Sequence, residues 1–386
     1  MFTMELPEEF MDDLDLRPYG YQLESLLDGH SLSNYHSLYY VTNIHTGTIS
    51  VAKVTDIYGV PKQVVHSIYN ESNLLNYLYN CWKYHRNAPI DTLYSLNTNN
   101  IWISTMATMI SNASTCTTPS NDQELIDYEL DNFYCKYTLT TRVDSNDFML
   151  NNLAYRQYGT NETYDGVFPV VKLETTITSN SSIIMIIENC EGGSLYSLIA
   201  KYIDNNTKLP VGYIKSIMLQ LLSGLEFIHS KNVYHGDINP SNILFADKQR
   251  TLIKISDFET SQRLDNDDIQ TCSLLVNTSA NMYRSPEQIM GCDKLTAAAD
   301  LWSAGCILYE LITLNHFFAS NIFTDNSNTV DGDDVTPVNV YYEYKSQLIN
   351  NIPPKYCYFA PLLDMLLDYD PVKRLGGYKF FNTYAT

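Results

Sequence analysis

One stretch limits the folds open to this chain more than any other: Tyr234-His235-Gly236-Asp237-Ile238-Asn239-Pro240-Ser241-Asn242, followed by Asp257-Phe258-Glu259. Ile214, Ile217, Met218, Leu221, Leu222, Leu225 and Ile228 lead into it and share one face at helical spacing. The pattern predicts a buried helix, then a loop offering a carboxylate (Asp237) and an amide (Asn242). Ile243-Leu-Phe reads as a short strand and Leu252-Ile-Lys-Ile as its partner, with Asp257 just beyond.

Those groups suit phosphoryl transfer. One carboxylate orients and deprotonates an acceptor hydroxyl, while an amide and a second carboxylate hold Mg²⁺ against a triphosphate. A lone His-x-Asp is weak, since a turn residue capping a helix looks the same. The HxDxxxxN spacing with Asp-Phe after it is far more specific. The segment resembles the catalytic loop and metal-binding motif of eukaryotic protein kinases. It also resembles the small-molecule kinases of the aminoglycoside phosphotransferase and choline kinase type, where His-Gly-Asp and Asp-Phe-Glu are common spellings.

Later motifs favour the first family. Met282-Tyr-Arg-Ser-Pro-Glu287 resembles the close of a protein-kinase activation segment, Asp300-Leu-Trp302-Ser-Ala-Gly305 the start of its central C-lobe helix, and Asp370-Pro-Val-Lys-Arg374-Leu its late DPxxRL. The resemblance implies an α+β bilobal fold, with a β-rich N-lobe carrying one main helix and a mostly helical C-lobe. It implies that Glu287 pairs with Arg374, that Asp300 holds the catalytic-loop backbone, and that His235 and Phe258 are structural.

Upstream, Tyr21–Leu27, Leu38–Thr42 and Thr48–Val54 read as strands, with a turn at His45-Thr-Gly47. Val51-Ala52-Lys53 resembles the kinase VAxK strand, so Lys53 would meet the α/β-phosphates and Ala52 would line the nucleotide site. By that register the glycine-rich loop is Ser31-Leu-Ser33-Asn-Tyr35-His36, with Ser31, Ser33 and Tyr35 over the nucleotide. Its aromatic is kept and its glycines are replaced, which hinders close approach of backbone N–H groups to phosphate. From Pro61 a helix is expected, with Ile68, Leu75 and Leu78 on one face and Glu71 placed to pair with Lys53. Ile183–Glu188 resembles the strand entering the interlobe hinge; backbone near Glu188 and Cys190 would take the adenine edge, with Ile187 gating the pocket.

Residues 1–20 are expected to be an acidic tail and 21–386 one kinase-like domain. Its N-lobe, 21–189, carries an insertion at about 83–168, and its C-lobe, 190–386, a smaller one at about 319–343. Within the first, Pro119–Glu124 reads as a helix start, and Ile126, Leu130, Phe133 and Tyr134 as a face for packing or partner docking.

Three departures bear on the chemistry. Gly236 replaces an Arg that reads activation-loop phosphate, Glu259 replaces the Gly of DFG, and Asn239 stands where Ser/Thr kinases keep a γ-phosphate Lys. Pro240 keeps the Ser/Thr spelling. The expected function is a protein serine/threonine kinase of low activity using ATP and Mg²⁺. The alternatives are a pseudokinase scaffold and, third, a small-molecule kinase.

With 24 Lys and Arg against 44 Asp and Glu, the formal net charge of −20 argues against nucleic acid and anionic membrane and suits basic protein substrates. Eight cysteines without CxxC pairing argue against zinc and a disulfide framework. The acidic N-terminus lacks signal-peptide regions, and no apolar run approaches the ~20 residues of a membrane span. A soluble, intracellular chain is expected, cytoplasmic or else nuclear.

Overall fold

The computed structural model describes residues 15–27, 35–58, 60–87, 167–179, 181–263, 280–290, 296–317 and 337–374. Strands β1 (Tyr21–Leu26), β2 (His36–Asn43), β3 (Ile49–Asp56), β4 (Leu173–Thr178) and β5 (Ser182–Glu188) form an antiparallel sheet in the order β1-β2-β3-β5-β4. Local chemistry sets its first hairpin. Asn43 Oδ1 accepts from the N–H groups of His45 and Thr46, and Gly47, at φ 71°, donates its N–H to Asn43 O at 2.8 Å. The helix between β3 and β4, α1 (Lys62–Asn87), buries Val64, Ile68, Leu75 and Leu78 at helical spacing. Glu71 falls on that same stripe, so the fold carries a carboxylate into an apolar seam.

Leu16 is buried with Tyr21, Tyr39, Val41, Ala52, Val54 and Ile184 on the sheet's other face. This corrects the expected tail: a 3-10 turn at Arg17–Tyr19 and Leu16 belong to the folded lobe, because the sheet needs an apolar cover there. The first 14 residues lie outside the described ones.

The second lobe runs β6 (Gly193–Ser194), α2 (Leu195–Asp204), α3 (Val211–His229), β7 (Val233–Tyr234), β8 (Ile243–Phe245), β9 (Ile253–Ile255), β10 (Gln262–Arg263), α4 (Pro286–Ile289), α5 (Ala297–Thr313), α6 (Pro337–Asn350) and α7 (Ala360–Leu366). Buried residues surround α5 on all sides, making it the axis on which α3 and α7 pack. Gly305 allows the closest of these approaches, since a Cβ there would lie 2.9 Å from Leu366 and Leu367 side-chain atoms. Helix α3, 19 residues long, is apolar and long enough by composition to cross a membrane, contrary to the expectation that no run approached a span. It is instead mostly buried, against α5 and β9.

Both expected insertions prove shorter at their edges. Helix α1 continues to Asn87, past the boundary at 83, and Trp82 meets buried Phe168 with ring centroids 5.5 Å apart. Phe168 at the far end of the first insertion and Trp82 just before its start therefore complete the core. Helix α6 begins at Pro337, inside the stretch 319–343. Its Tyr341 is fully buried beside Trp302, 5.6 Å between centroids, and donates its hydroxyl to the Leu367 carbonyl at 2.5 Å. An Asn- and Asp-rich context had hidden that anchor. Pro119–Glu124, Ile126, Leu130, Phe133 and Tyr134 lie outside the described residues.

Candidate active site

The loop between β7 and β8 is shaped by its own backbone needs. Gly236 sits at φ 86°, and a Cβ there would lie 3.0 Å from the Tyr234 ring and 3.2 Å from the Thr260 carbonyl oxygen. Asp300, buried near the start of α5, accepts from the N–H groups of His235 and Gly236, both at 2.9 Å, and from His229 Nε2 at 2.8 Å. A charged acceptor thus satisfies consecutive buried amides. The Asp237 N–H donates to His235 Nδ1 at 3.3 Å, which places the ring proton on Nε2, facing the Ser256 carbonyl at 3.0 Å. Phe258 packs on that ring, 4.7 Å between centroids, and is fully buried.

Asn242 Nδ2 donates to Asp237 O at 2.8 Å and to Asp237 Oδ2 at 3.0 Å. That aims the Asp237 carboxylate and leaves the Asn242 amide oxygen as an atom that could face a cation. Burial, followed by the charge of Asp257, pushes the Asp237 carboxyl up from its ordinary range. Asn239, at the position where Ser/Thr kinases keep a lysine, caps the 3-10 turn Pro240–Asn242 by accepting from Ser241 N–H at 2.9 Å. Asp257 is held at φ 65°, a left-handed conformation uncommon for a side-chain-bearing residue.

Lys53 brings the lobes together. Its Nζ lies 2.9 Å from Glu71 Oε2 and 3.2 Å from Asp257 Oδ1, while Glu71 Oε1 accepts from the Phe258 N–H at 3.1 Å. Glu259 is nearer still, its Oε1 2.5 Å from Lys53 Nζ. The same oxygen lies 2.5 Å from His36 Nε2, without the alignment of a hydrogen bond. The carboxylates of Glu71, Asp257 and Glu259 can bring an oxygen each within 4.8 Å of one another, and Lys53 is their shared cation. Burial opposes the charge on Lys53, but Asp257, Glu259 and Glu71 outweigh it and hold its pKa well above normal. Burial would raise Glu259, yet the Lys53 charge and the His36 contact outweigh that and hold it well below the usual carboxylate range. Glu71 goes the other way, pushed up by burial despite Lys53. One ammonium cannot offset three carboxylates, and Glu71, the most deeply buried, takes the penalty.

Ala52, expected to line the nucleotide site, is fully buried on the opposite face of the sheet from Lys53, packed with Tyr39, Val41, Val54 and Ile184, because adjacent residues of a strand point to opposite faces. Ile187 pairs with Val51 across the sheet and packs on the core. Glu188 is held by an ion pair with Lys254 and by the Lys172 N–H at 2.6 Å, so its side chain braces the hinge. Burial pushes the Cys190 thiol up to about 12, and its carbonyl accepts from Gly193 N–H at 3.3 Å. Ser31 and Ser33 lie outside the described residues, and Tyr35 is exposed just ahead of β2. His36, expected as the last loop residue, opens β2 and is buried, its Nδ1 2.6 Å from Thr55 Oγ1. Its contact with Glu259 escaped sequence reasoning, although the register offered a signal. His36 pairs with Thr55 and Leu38 with Lys53, so alternation puts His36 on the face of Lys53.

Farther out, Arg374 binds Glu287 through two bonds, Nη1–Oε1 at 2.5 Å and Nη2–Oε2 at 2.6 Å, with both side chains buried. Gln288 Nε2 donates to Tyr234 Oη at 2.8 Å and to the Gly236 carbonyl at 3.2 Å. Helix α4 thereby ties the end of the activation segment to the catalytic loop.

The protein kinase domain family matches residues 157–384, more than half of the chain. Relatives include the serine/threonine-protein kinase SSN3 of Scheffersomyces stipitis, 31% identical over 53% of this chain and 55% of that protein. The serine/threonine-protein kinase ATG1a of Arabidopsis thaliana is 31% identical over 55% of this chain and 31% of its own length. Cyclin-dependent kinase 1 of Encephalitozoon cuniculi is 32% identical over 39% and 48%. The chain spans about half or less of the length of these curated relatives. Protein kinases generally use ATP and Mg²⁺, and an amide oxygen beside a carboxylate, Asn242 and Asp257, is the hard-oxygen donor set such an ion takes. With the family match extending through the helical lobe and Lys53, Glu71 and Asp257 in contact between the two lobes, this chain belongs to the protein kinase family.

Proposed function

We propose that the chain is a serine/threonine protein kinase, transferring the γ-phosphate of ATP to protein hydroxyls. The observation that carries this is the convergence of Lys53, Glu71, Asp237, Asn242 and Asp257 on one cleft, linked by the contacts of Lys53 to Glu71 and Asp257 and of Asn242 to Asp237. Asp237 orients the acceptor hydroxyl and takes its proton, which its raised pKa favours. Asn242 and Asp257 hold the cation, and Lys53 faces the phosphates. Mg²⁺, when bound, supplies neutralisation of the phosphate charge. The hinge backbone from Ile187 to Cys190 offers the edge on which adenine is read.

The acidic chain suits basic protein substrates, and residues 83–168 suit a regulatory partner in a cytoplasmic setting. A scaffold without catalysis is the second reading, favoured by Glu259 on Lys53 and by an uncharged cap at Asn239. Phosphorylation of a broad Ser/Thr peptide library by purified protein with Mg·ATP, beside Asp237→Asn, decides between them. The variant is expected to lose about a thousandfold in rate while still binding nucleotide. Wild-type protein that binds ATP yet phosphorylates nothing leaves the scaffold.

A further inference from the structure

Lys53 has a nearer counter-ion than either of the acids expected for it. Glu259 Oε1 stands 2.5 Å from Nζ, against 2.9 Å for Glu71 and 3.2 Å for Asp257. We propose that Glu259 is a positioning residue that occupies the phosphate side of Lys53 in the free protein, so that nucleotide phosphates engage the lysine only by displacing this carboxylate. The inference rests on Lys53 being the phosphate-facing lysine of the kinase reading.

Charge counting makes the competition concrete. Three carboxylates around one ammonium leave the cluster net anionic, and a triphosphate adds to that excess. Of the three, Glu71 is fixed from behind by the Phe258 N–H and by its helix, and Asp257 is needed for the cation. Glu259 is the one anion whose departure returns Lys53 to the ligand.

Its restraint is also exchangeable. His36 Nε2 and Glu259 Oε1 are close but not aligned as a hydrogen bond, so charge and crowding hold the carboxylate rather than directional bonds. The His36 ring is steadied from its far side by Thr55 Oγ1 at 2.6 Å. Glu259 thereby bridges β2, which follows the nucleotide-covering loop, to the segment after Asp257. Leaving Lys53 frees both. Residue 259 is not among the positive-φ positions, so glutamate is unstrained there and glutamine or glycine fits the same backbone.

The test is a comparison of Mg·ATP and adenosine binding by calorimetry in wild type, E259Q, E259G and the same changes combined with K53M. Adenosine occupies the hinge but carries no phosphate to compete with. Both single variants are expected to bind Mg·ATP about tenfold more tightly, to bind adenosine as wild type does, and to lose the gain in the K53M background. A purely structural role for Glu259 would move both ligands together. Unchanged or weaker ATP binding in both variants overturns the proposal, as does an equal shift for adenosine. Peptide phosphorylation measured alongside separates the two readings. The ATP–adenosine split without any transfer rejects kinase activity and keeps this inference, whereas transfer without the split rejects this inference alone. No binding of either ligand by any of the proteins counts against both.

Discussion

Several residues of this protein are held in states their side chains disfavour, and each has a visible cause. Asp257 keeps a left-handed backbone that costs about 1–3 kcal/mol, stabilised by its contact with Lys53 and by the neighbouring Phe258 amide bound to Glu71. Glu226 on α3 is a plainer case. Burial alone pushes its carboxyl from 4.5 up to about 7. Between those values the folded protein keeps a proton that the unfolded chain releases. Stability contributed by the protonated form is therefore full below pH 4.5 and is lost as pH rises through about 7. Glu226→Gln should remove this loss. Melting temperatures followed from about pH 5 to about pH 8 should show the variant gaining on wild type as pH rises. A constant offset across that range would mean that Glu226 is solvated in the folded state.

At the level of elements, the short helix α4 owes its place to one ion pair and one amide. Ser285 and Gln288 close a capping box at its start, and Gln288 continues to the catalytic loop. Glu287 reaches Arg374, whose guanidinium also donates to the Ala298 carbonyl at 2.9 Å and lies 5.1 Å from the centroid of the Trp302 ring. Three separated stretches of chain therefore meet at one charge. Removing a single partner of such a buried pair costs about 3–5 kcal/mol, because the remaining charge is left without a counter-ion. Glu287→Ala should lower the denaturation midpoint accordingly, and a midpoint equal to wild type would show that the late motifs do not carry the packing.

For the molecule as a whole, the link from helix α4 to the loop between β7 and β8 is, among the described residues, made by neutral groups. The side chain that would read a loop phosphate is absent at Gly236, whose φ of 86° and proximity to the Tyr234 ring disfavour any replacement. Gln288 supplies the link instead, through the Tyr234 hydroxyl and the Gly236 carbonyl. Arg263 stacks 4.5 Å over the Tyr77 ring. Asp265, Asp267 and Asp268 precede Thr271, Ser273 and Thr278, so an added phosphate would meet like charge. Turnover should consequently survive phosphatase treatment and the triple change Thr271→Ala/Ser273→Ala/Thr278→Ala. A tenfold drop in both preparations, about 1.4 kcal/mol of barrier, would overturn this and point to Arg263 or Arg284 as the phosphate reader.

What the sequence by itself determined is whatever depends on near neighbours. Hydrophobic period marked α3 and the buried stripe of α1, and Asn43 with Gly47 specified a hairpin turn. Ordered spacing placed Asp237 and Asn242 on one loop, where they touch because few residues separate them. Tertiary structure decided where the lobes end and what Lys53 faces. Leu16, Trp82 and Tyr341 have polar or charged residues close by along the chain, and Phe168 closes a long polar stretch, so only the sheet and α5 show the apolar surfaces that bury or cover them. His36 and Glu259 are far apart in sequence, and no local preference joins them. They meet because β2 and the end of β9 are brought against the same lysine, and in that dry space one positive charge gathers every carboxylate within reach.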